Sequence, residues 1–93
     1  MAEKLSEIQI SEHLAKATGW SLEDGVIART FALKDFTTAL TFVGAVGYLA
    51  EAAGHHPDII INYNRVKLML STHDAGGITE KDFALAAQIN ALP

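Results

Sequence analysis

Three of the four histidines in this chain lie beside carboxylate residues near the ends of predicted elements. His55 and His56 are adjacent, and Glu51 lies four residues before the first of them. His73 is followed directly by Asp74. Imidazole titrates near neutral pH, so one ring can release a proton while another accepts one. Each histidine alone is better explained as a residue that caps an element. The three together favour acid–base chemistry, such as elimination or addition of water, tautomerisation or hydrolysis.

Other catalytic classes lack the residues that they need. The chain has no cysteine, which excludes disulfide scaffolds, thiolate zinc sites, iron–sulfur clusters and thiol nucleophiles. No G-x-S-x-G motif occurs, and Ser71 beside Thr72-His73 is not by itself a catalytic triad. Gly76-Gly77 has neither the spacing of a phosphate-binding loop nor the lysine that follows it.

A metal site is an alternative use for the histidines. Three histidines can bind a catalytic zinc ion and leave its fourth position open. His55 and His56 lack the spacing of two zinc ligands on one helix, and nothing in the sequence requires three rings to converge on one ion. We therefore expect no metal, and elemental analysis for zinc would test the alternative of a histidine-ligated metal hydrolase.

Length, composition and charge limit the type of protein. With 93 residues, 49% of them hydrophobic and 19% charged, the chain is expected to form one domain over residues 1–93. The net charge of −4 argues against a nucleic-acid surface. The N-terminus lacks the apolar segment of a signal peptide, and the longest uncharged run has fifteen residues, fewer than the ~20 that cross a bilayer. We expect a soluble, cytoplasmic protein with no membrane partner.

Hydrophobic periodicity and turn signals predict three helices and four strands. Ser6 with Gln9 matches a helix capping box, and Asp24-Gly25 between apolar runs is a strong hairpin signal. The predicted elements are a helix over residues 6–17, strands over 20–23 and 26–33, a helix over 35–54, two strands within 58–73, and a final helix after Thr79. The order αββαββα predicts an α+β fold: a four-stranded antiparallel sheet with three helices packed on one face.

The helix over residues 35–54 carries the strongest apolar pattern. Its apolar residues at steps of three and four are Phe36, Leu40, Val43, Val46, Ala50 and Ala53. Phe42 and Leu49 widen this stripe, so we expect much of the helix surface to be buried. Gly44 and Gly47 are expected where the helix closely approaches a neighbouring sheet or helix. The strand over 26–33 is apolar on both faces, so we expect cover on both sides.

The second half of the chain predicts a hairpin and a final helix. Asn64-Arg65 is the expected turn of the hairpin within residues 58–73. Thr79 with Asp82 fits the N-cap of the last helix, where a carboxylate favours the first turn. The three candidate histidines are thereby placed at element ends, where functional groups collect at the rim of a sheet.

A long pattern of chemically unrelated residues resembles the signature of a known family. The matching residues are Gly19-Trp20, Lys34-Asp35-Phe36, Glu51-x-x-x-His55-His56-Pro57, Tyr63, Thr72-His73-Asp74 and Gly77-Ile78-Thr79-x-x-Asp82. This pattern resembles the pterin-4a-carbinolamine dehydratases and covers nearly the whole chain. The resemblance implies the same four-stranded antiparallel sheet, with three helices on one side, that the periodicity predicts.

The resemblance also implies an activity and a set of site residues. The family dehydrates a 4a-hydroxytetrahydropterin, the product left by aromatic amino-acid hydroxylases, to the quinonoid dihydropterin. By resemblance, His55, His56 and His73 occupy the catalytic histidine positions. The implied substrate-binding residues are Glu51, His55, His56, Pro57, Thr72, His73, Asp74 and Ala75. The resemblance implies no cofactor, because the reaction involves no redox change.

Two positions depart from the family pattern. Gly54 replaces an acidic residue that some members carry just before the histidine pair, so no anion is available there. Ile59 stands where some members have tryptophan, which alters the pocket wall or a subunit contact. Neither change removes a histidine.

The sequence suggests which histidines transfer protons and which one binds the substrate. Pro57 biases the backbone of His56 toward extended geometry, so we expect its ring to be held firmly. We expect His56 and His73 to transfer protons on either side of the pterin. His55, supported by Glu51, is then expected to bind and orient the substrate.

An interaction module remains the alternative function. Animal members of the family also act as dimerisation cofactors for a homeodomain transcription factor. A pure interaction protein would not need three histidines, which favours catalysis. Family members form dimers and dimers of dimers, and Phe42, Tyr48 and Leu49 broaden the long helix beyond what one sheet face covers. We therefore expect a homodimer or homotetramer.

Overall fold

The computed structural model describes residues 3–93 and confirms the predicted order of elements. The elements are α1 (Glu7–Leu14), β1 (Ser21–Glu23), β2 (Val26–Ala32), α2 (Phe36–Ala53), β3 (Asp58–Asn62), β4 (Arg65–Leu70), a 3-10 turn (His73–Ala75) and α3 (Glu80–Asn90). The strands form one sheet in the order β1-β2-β4-β3, and all neighbouring pairs are antiparallel. The fold is α+β, as predicted.

One hydrophobic cluster joins the helices to one face of the sheet. Val66, Leu68 and Leu70 of β4 are fully buried, and they share this cluster with Val46 of α2 and Leu85 of α3. Burying one such side chain stabilises the fold by about 1.5–3 kcal/mol. The cluster therefore sets where α2 and α3 lie, and with them the residues at their ends.

The other face of the sheet is open. Thr30 and Ala32 are exposed on β2, so the expectation that both sides of this strand are covered is wrong beyond Ala28. An ion pair between Lys67 Nζ and Glu23 Oε1, 2.8 Å apart, crosses this face from β4 to β1. Because both side chains are partly exposed, such a pair is worth about 0–1 kcal/mol.

The ends of α2 follow from its two caps. The side chain of Asp35 accepts the backbone N–H of Thr38 at 2.8 Å, which satisfies a free donor of the first turn. Hydrogen bonds from Thr38, together with one from the Thr37 hydroxyl, lower the pKa of Asp35. At the other end, Gly54 has φ of 64°, a left-handed conformation that glycine adopts readily. The predicted bounds of this helix are confirmed.

The buried side of α2 is narrower than the sequence predicts. Ala39, Val46 and Ala50 are buried. Three residues of the predicted stripe are exposed instead, namely Phe36, Leu40 and Ala53. A Cβ at Gly44 or Gly47 would meet no atom within 4 Å, so the predicted close approach there is wrong within one chain. A single helix turns only one side toward a sheet, and the other side of α2 stays uncovered.

The length and composition of α2 are those of a helix that could cross a membrane. Its 18 residues have a mean hydropathy of 1.3. Core helices of globular domains meet the same two criteria, and one side of α2 packs on the sheet. The absence of a membrane partner stays a prediction.

The turn between β3 and β4 is shifted by one residue from the prediction. Asn62 and Arg65 are already paired strand residues, so the turn is Tyr63-Asn64. Tyr63 has φ of 55°, which is uncommon for a residue other than glycine. The Asn64 side chain donates to the Leu33 carbonyl at 2.9 Å, which ties this turn to the end of β2.

The N-terminal helix is tied to the segment that precedes α3. It begins at the predicted capping box of Ser6 and Gln9 and ends at Leu14, three residues before the predicted end. Just before it, the Leu5 N–H donates to the Ile78 carbonyl at 2.8 Å. This bond holds the N-terminal segment against the chain that leads from the 3-10 turn into α3.

Candidate active site

A cavity of about 220 Å³ opens at the end of the sheet where β4 finishes and β3 begins. Its lining residues are Gly54, His55, His56, Ser71, Thr72, His73, Asp74 and Lys81. The fold therefore brings the three predicted histidines together, along with Thr72 and Asp74. Pro57 and Ala75, two of the other predicted substrate-binding residues, adjoin lining residues along the chain but do not line the cavity. The third, Glu51, contacts the lining residue His56 and does not line the cavity either.

The break at the end of α2 places the histidine pair. Gly54 leaves the helical conformation, and the His55 N–H then donates to the Ala50 carbonyl at 3.0 Å. Pro57 disfavours helical geometry at His56, and the chain continues into β3. The two adjacent side chains consequently have different surroundings: that of His55 is 12% exposed and that of His56 is 65% exposed.

A short closed loop places His73. The Thr72 N–H donates to the Gly77 carbonyl at 2.8 Å, and the Gly77 N–H donates back to the Thr72 carbonyl at 3.3 Å. Inside this loop, the Gly76 N–H donates to the His73 carbonyl at 3.0 Å. The backbone around His73 is thus fixed by hydrogen bonds, while its side chain remains exposed at the cavity.

A buried carboxylate, that of Asp82, holds His55. His55 Nε2 lies 2.5 Å from Asp82 Oδ1, and Asp82 is fully buried. Asp82 Oδ2 accepts the Thr72 hydroxyl at 3.0 Å and the Thr79 backbone N–H at 2.9 Å. Since the Thr72 hydroxyl donates to Asp82, the hydroxyl of Thr79 donates to Thr72 across 2.7 Å. Each polar group of this network has a partner, as buried polar groups require.

The network determines which nitrogen of His55 is available for chemistry. An ionised carboxylate only accepts hydrogen bonds, and Asp82 Oδ2 already accepts two. His55 Nε2 therefore carries a proton and donates it to Asp82 Oδ1. Nδ1 is left as the ring nitrogen that can exchange a proton with a bound molecule. The carboxylate holds the ring and its tautomer, and it compensates the charge that forms when Nδ1 takes a proton.

Glu51 contacts His56, not His55. The Glu51 Oε1 and His56 Nε2 atoms lie 2.8 Å apart, and the two side chains are 82% and 65% exposed. The expectation that Glu51 supports His55 is therefore wrong. It assumed that the helix continues to His55, whereas the left-handed turn at Gly54 rotates the following residue away from the helix face of Glu51.

The comparison with known proteins decides the family. The sequence model described as pterin 4 alpha carbinolamine dehydratase matches residues 3–92. The chain belongs to this family. A relative from Chloroflexus aurantiacus, named pterin-4-alpha-carbinolamine dehydratase, is 62% identical over 89 residues, which cover 96% of each chain. A relative of the same name from Nostoc sp. is 49% identical over 92 residues, which cover 99% of each chain. These names support a pterin-4a-carbinolamine dehydratase activity.

Two solved structures share the fold of this pterin dehydratase family member. One is described as a transcriptional coactivator/pterin dehydratase from Brucella melitensis, with a TM-score of 0.91, 38% identity and coverage of 96% of this chain and 97% of that one. The other is described as a pterin dehydratase-like protein and a RuBisCO assembly factor in the alpha-carboxysome. It has a TM-score of 0.62, 25% identity and coverage of 77% and 83%.

Three residues of the pterin dehydratase site are not assigned to it by sequence reasoning. Ser71 and Lys81 line the cavity, and Asp82 lies beneath it. The sequence indicates Asp82 only as a helix-cap residue and as part of the family pattern. Lys81 offers a weak signal of its own, because a cation in the first turn of a helix opposes the helix dipole. Among residues 3–93, Lys81 takes part in no ion pair.

A metal centre requires several ligating side chains around one point. Within residues 3–93, no three side chains of the metal-ligating types converge on one point. Nε2 of His55 and Nε2 of His56 point to two different carboxylates. The described histidines therefore do not form a common ligand set.

Proposed function

We propose that this protein dehydrates a 4a-hydroxytetrahydropterin to the quinonoid dihydropterin, in the recycling of tetrahydrobiopterin. The observation that carries the proposal is the cavity that collects His55, His56 and His73 above a buried aspartate, in a member of the pterin carbinolamine dehydratase family. Three imidazoles in one cavity suit a reaction that moves protons only. The reaction exchanges no electrons, so it requires no redox cofactor.

The chemistry requires an acid and a base on one edge of the pterin. The C4a–O bond breaks as a general acid protonates the leaving hydroxide, which departs as water. A general base removes the proton of N5, and the C4a=N5 double bond forms. The acid has lost one proton and the base has gained one, so transfer through water restores both groups. Groups positioned in this way typically contribute about 10²- to 10⁴-fold in rate.

We assign the two proton transfers to His55 and His73. His55 is held by Asp82 with Nδ1 free, which fixes the ring better than the exposed contact between His56 and Glu51 does. His73 lines the same cavity from the segment after β4. His56, which the sequence alone favours for proton transfer, is here given the binding role. The exposed side chain of His56 can form a hydrogen bond with the polar edge of the substrate.

The decisive experiment is a measurement of dehydration. Synthetic 4a-hydroxytetrahydropterin is mixed with the purified protein, and quinonoid dihydropterin formation is compared with the spontaneous rate. We expect an acceleration that is lost in the variant His73→Ala, whose exposed side chain makes the fold insensitive to the change. An unchanged spontaneous rate with folded wild-type protein rejects the proposal.

A non-catalytic interaction module is the second candidate. The observation in its favour is that two proteins with this fold are described as a coactivator/dehydratase and as an assembly factor. The presence of all three histidines in one cavity favours catalysis. The dehydration assay separates the two, because a binding module leaves the spontaneous rate unchanged.

We also propose that the chain forms at least a homodimer. The outer side of α2 and the strand β3 are both exposed and rich in apolar side chains, which a 10.0 kDa protein rarely leaves uncovered. Sedimentation at micromolar concentration tests this, and a 10 kDa species would reject it. A cytoplasmic location stays a prediction.

A further inference from the structure

Lys81 contributes an ammonium group to the cavity that holds the three histidines. It lies in the first turn of α3, two residues after the N-cap Thr79, and its exposed side chain lines the cavity. No other lysine or arginine among residues 3–93 lines the same cavity. An ammonium on a flexible stem suits recognition of anionic oxygen groups, to which it donates strong hydrogen bonds.

The fold makes no evident use of this charge. Lys81 takes part in no ion pair within the described part of the chain. Its acidic neighbours along the chain have other partners: Glu80 Oε1 lies 3.9 Å from His13 Nε2, and Asp82 belongs to the buried network. A cation in the first turn of a helix opposes the helix dipole, so this position is unfavourable for stability. A charge that disfavours its own helix and has no partner in the fold indicates a partner outside it.

The cavity carries an opposite charge as well, that of Asp74. The side chain of Asp74 is exposed and lines the cavity, and it forms no ion pair with Lys81. A pterin has different polar groups at its two ends: its aminopyrimidine ring presents N–H donors, whereas its other ring carries a substituent on C6. A carboxylate accepts hydrogen bonds from such donors, and an ammonium donates them to anionic oxygens. The two charged residues therefore match the two ends of one ligand.

The reacting edge of the pterin relates its C6 substituent to Lys81. C6 is bonded to N5, so the substituent leaves the ring beside the C4a–N5 edge. His55, which we assign to proton transfer at this edge, is held by Asp82, the residue that follows Lys81. The cavity of about 220 Å³ is smaller than the roughly 300–1,000 Å³ of most small-molecule sites, so it suits a compact ring and leaves a longer substituent at its rim. The substituent then lies near the first turn of α3.

We propose that Lys81 binds an anionic group on the C6 substituent of the substrate. The protein accordingly prefers pterins whose substituent ends in a carboxylate or a phosphate ester over pterins whose substituent is neutral. Lys81 acts on affinity and not on the proton transfers, which makes it a specificity-determining residue. That the ligand is a pterin rests on the proposed function, whereas the preference of the cavity for an anion can be measured by binding alone.

The test compares three stable dihydropterins that differ only in the C6 substituent. One carries a neutral hydroxymethyl group, the second its phosphate ester and the third a carboxymethyl group. Dissociation constants are measured by calorimetry at low ionic strength. We expect the wild-type protein to bind at least one anionic ligand about fivefold or more tightly than the neutral one, with a difference that shrinks as salt is added. Tighter binding of the phosphate ester or of the carboxymethyl compound shows which anionic group is recognised.

Three variants show whether the preference comes from Lys81. Lys81→Met removes the charge at nearly constant side-chain length, and we expect it to bind the three ligands equally. Lys81→Arg keeps the charge and should keep the preference. The matched control is Lys16→Met, an exposed lysine two residues after α1 that does not line this cavity and should behave as wild type. The Tm of Lys81→Met should equal or exceed that of wild type, because the variant removes a charge that opposes the helix dipole.

Equal affinity of the wild-type protein for neutral and anionic ligands overturns the proposal. A preference that Lys81→Met retains overturns it as well. A lower Tm of Lys81→Met, with the same loss of affinity for all three ligands, assigns the residue to structure and also overturns it.

Dehydration assays with the same substituents on 4a-hydroxytetrahydropterins separate this proposal from the proposed function. If neutral and anionic substrates are dehydrated with equal kcat/KM, the preference fails and the proposed function stands. If none is dehydrated faster than spontaneously, but the anionic dihydropterins bind more tightly and Lys81→Met abolishes the difference, the proposed function fails and the role of Lys81 in anion binding stands.

Discussion

His55 and His56 are neighbours along the chain, but their side chains lie in opposite environments. His55 is almost buried and bonded to the fully buried Asp82. His56 is exposed and bonded to the exposed Glu51. The His55–Asp82 pair lies in a buried network in which every polar group has a protein partner. Water competes for the hydrogen bonds of the exposed His56–Glu51 pair. The comparison indicates that the same pair of residue types, an imidazole and a carboxylate, fixes a catalytic geometry only where water is excluded.

The sharpest test of this contrast replaces each histidine in turn. We expect His55→Ala to lower kcat by on the order of 10²- to 10⁴-fold, because it removes a proton-transfer group. His56→Ala should mainly raise KM, because it removes a binding contact. The measurement is steady-state kinetics of the dehydration, corrected for the spontaneous rate. Loss of turnover in His56→Ala, with His55→Ala near wild type, would contradict the assignment.

His55→Ala also affects stability, which requires a control. The variant leaves the buried Asp82 without one partner, at a cost of about 1–3 kcal/mol. His56→Ala leaves only an exposed carboxylate and should keep the wild-type Tm within error. Thermal unfolding of both variants therefore shows the same contrast as the kinetics. Rates are compared well below the lower of the two Tm values.

The next test replaces each carboxylate by its amide. We expect Asp82→Asn to lower kcat by about 10- to 100-fold, because the amide can no longer hold the His55 tautomer or compensate its charge. The matched control is Glu51→Gln, which changes an exposed carboxylate in the same way. Stopped-flow rates across a pH series separate a positioning role from a structural one, since only the former changes the shape of the profile. An unaltered Asp82→Asn profile would assign Asp82 to structure alone.

For Glu51→Gln we expect a smaller effect. The contact with His56 is exposed on both sides, and such pairs are worth about 0–1 kcal/mol. A change in KM of less than about fivefold, with kcat unchanged, corresponds to that range. A Glu51→Gln variant as impaired as Asp82→Asn would show that the exposed pair is also fixed when substrate is bound.

The smallest effect on activity is expected at Asp35, the N-cap of α2. Hydrogen bonds from Thr38 lower the pKa of Asp35 below the ordinary value of 3.8. The ionised carboxylate therefore stabilises the fold fully at pH values above 3.8, and this stabilisation is lost as the pH falls through the lowered pKa. Asp35→Ala should therefore lower Tm at pH 7 and converge with wild type in strong acid, with kcat unchanged. Thermal unfolding over a pH series measures this. A Tm difference that persists in strong acid would contradict the charge-based explanation.

Local signals account for the parts of the structure that could be predicted. The caps of α2, Asp35 and Gly54, and the capping box of Thr79 and Asp82 involve residues at most four positions apart. The hairpin turn at Asp24 was likewise indicated by its own residue and the glycine that follows. The buried width of α2 could not be predicted in this way, because it depends on how much of the helix one sheet covers.

Within the site, the positions of the histidines could be predicted from local signals, whereas their hydrogen-bond partners could not. Their positions at element ends were sufficient to predict that His55, His56 and His73 meet, because element ends of one sheet lie at a common rim. Their partners were not predictable from spacing. A rule for continuous helices assigns Glu51 to His55, and the left-handed residue Gly54 makes that rule inapplicable.

The amino-acid sequence alone determined the order of elements, the family and the three histidines. Periodicity, caps and a long signature are properties of residues in their chain order, so no packing is needed to recognise them. Only the tertiary structure decided that Asp82 holds His55, that Glu51 holds His56 and that Lys81 lines the cavity. The contact between Glu51 and His56 lies within the end of α2 and the residues that follow it, whereas that between His55 and Asp82 joins this segment to the first turn of α3. The geometry of both follows from how the helices pack on the sheet. Packing is a property of the whole core, which no local pattern contains.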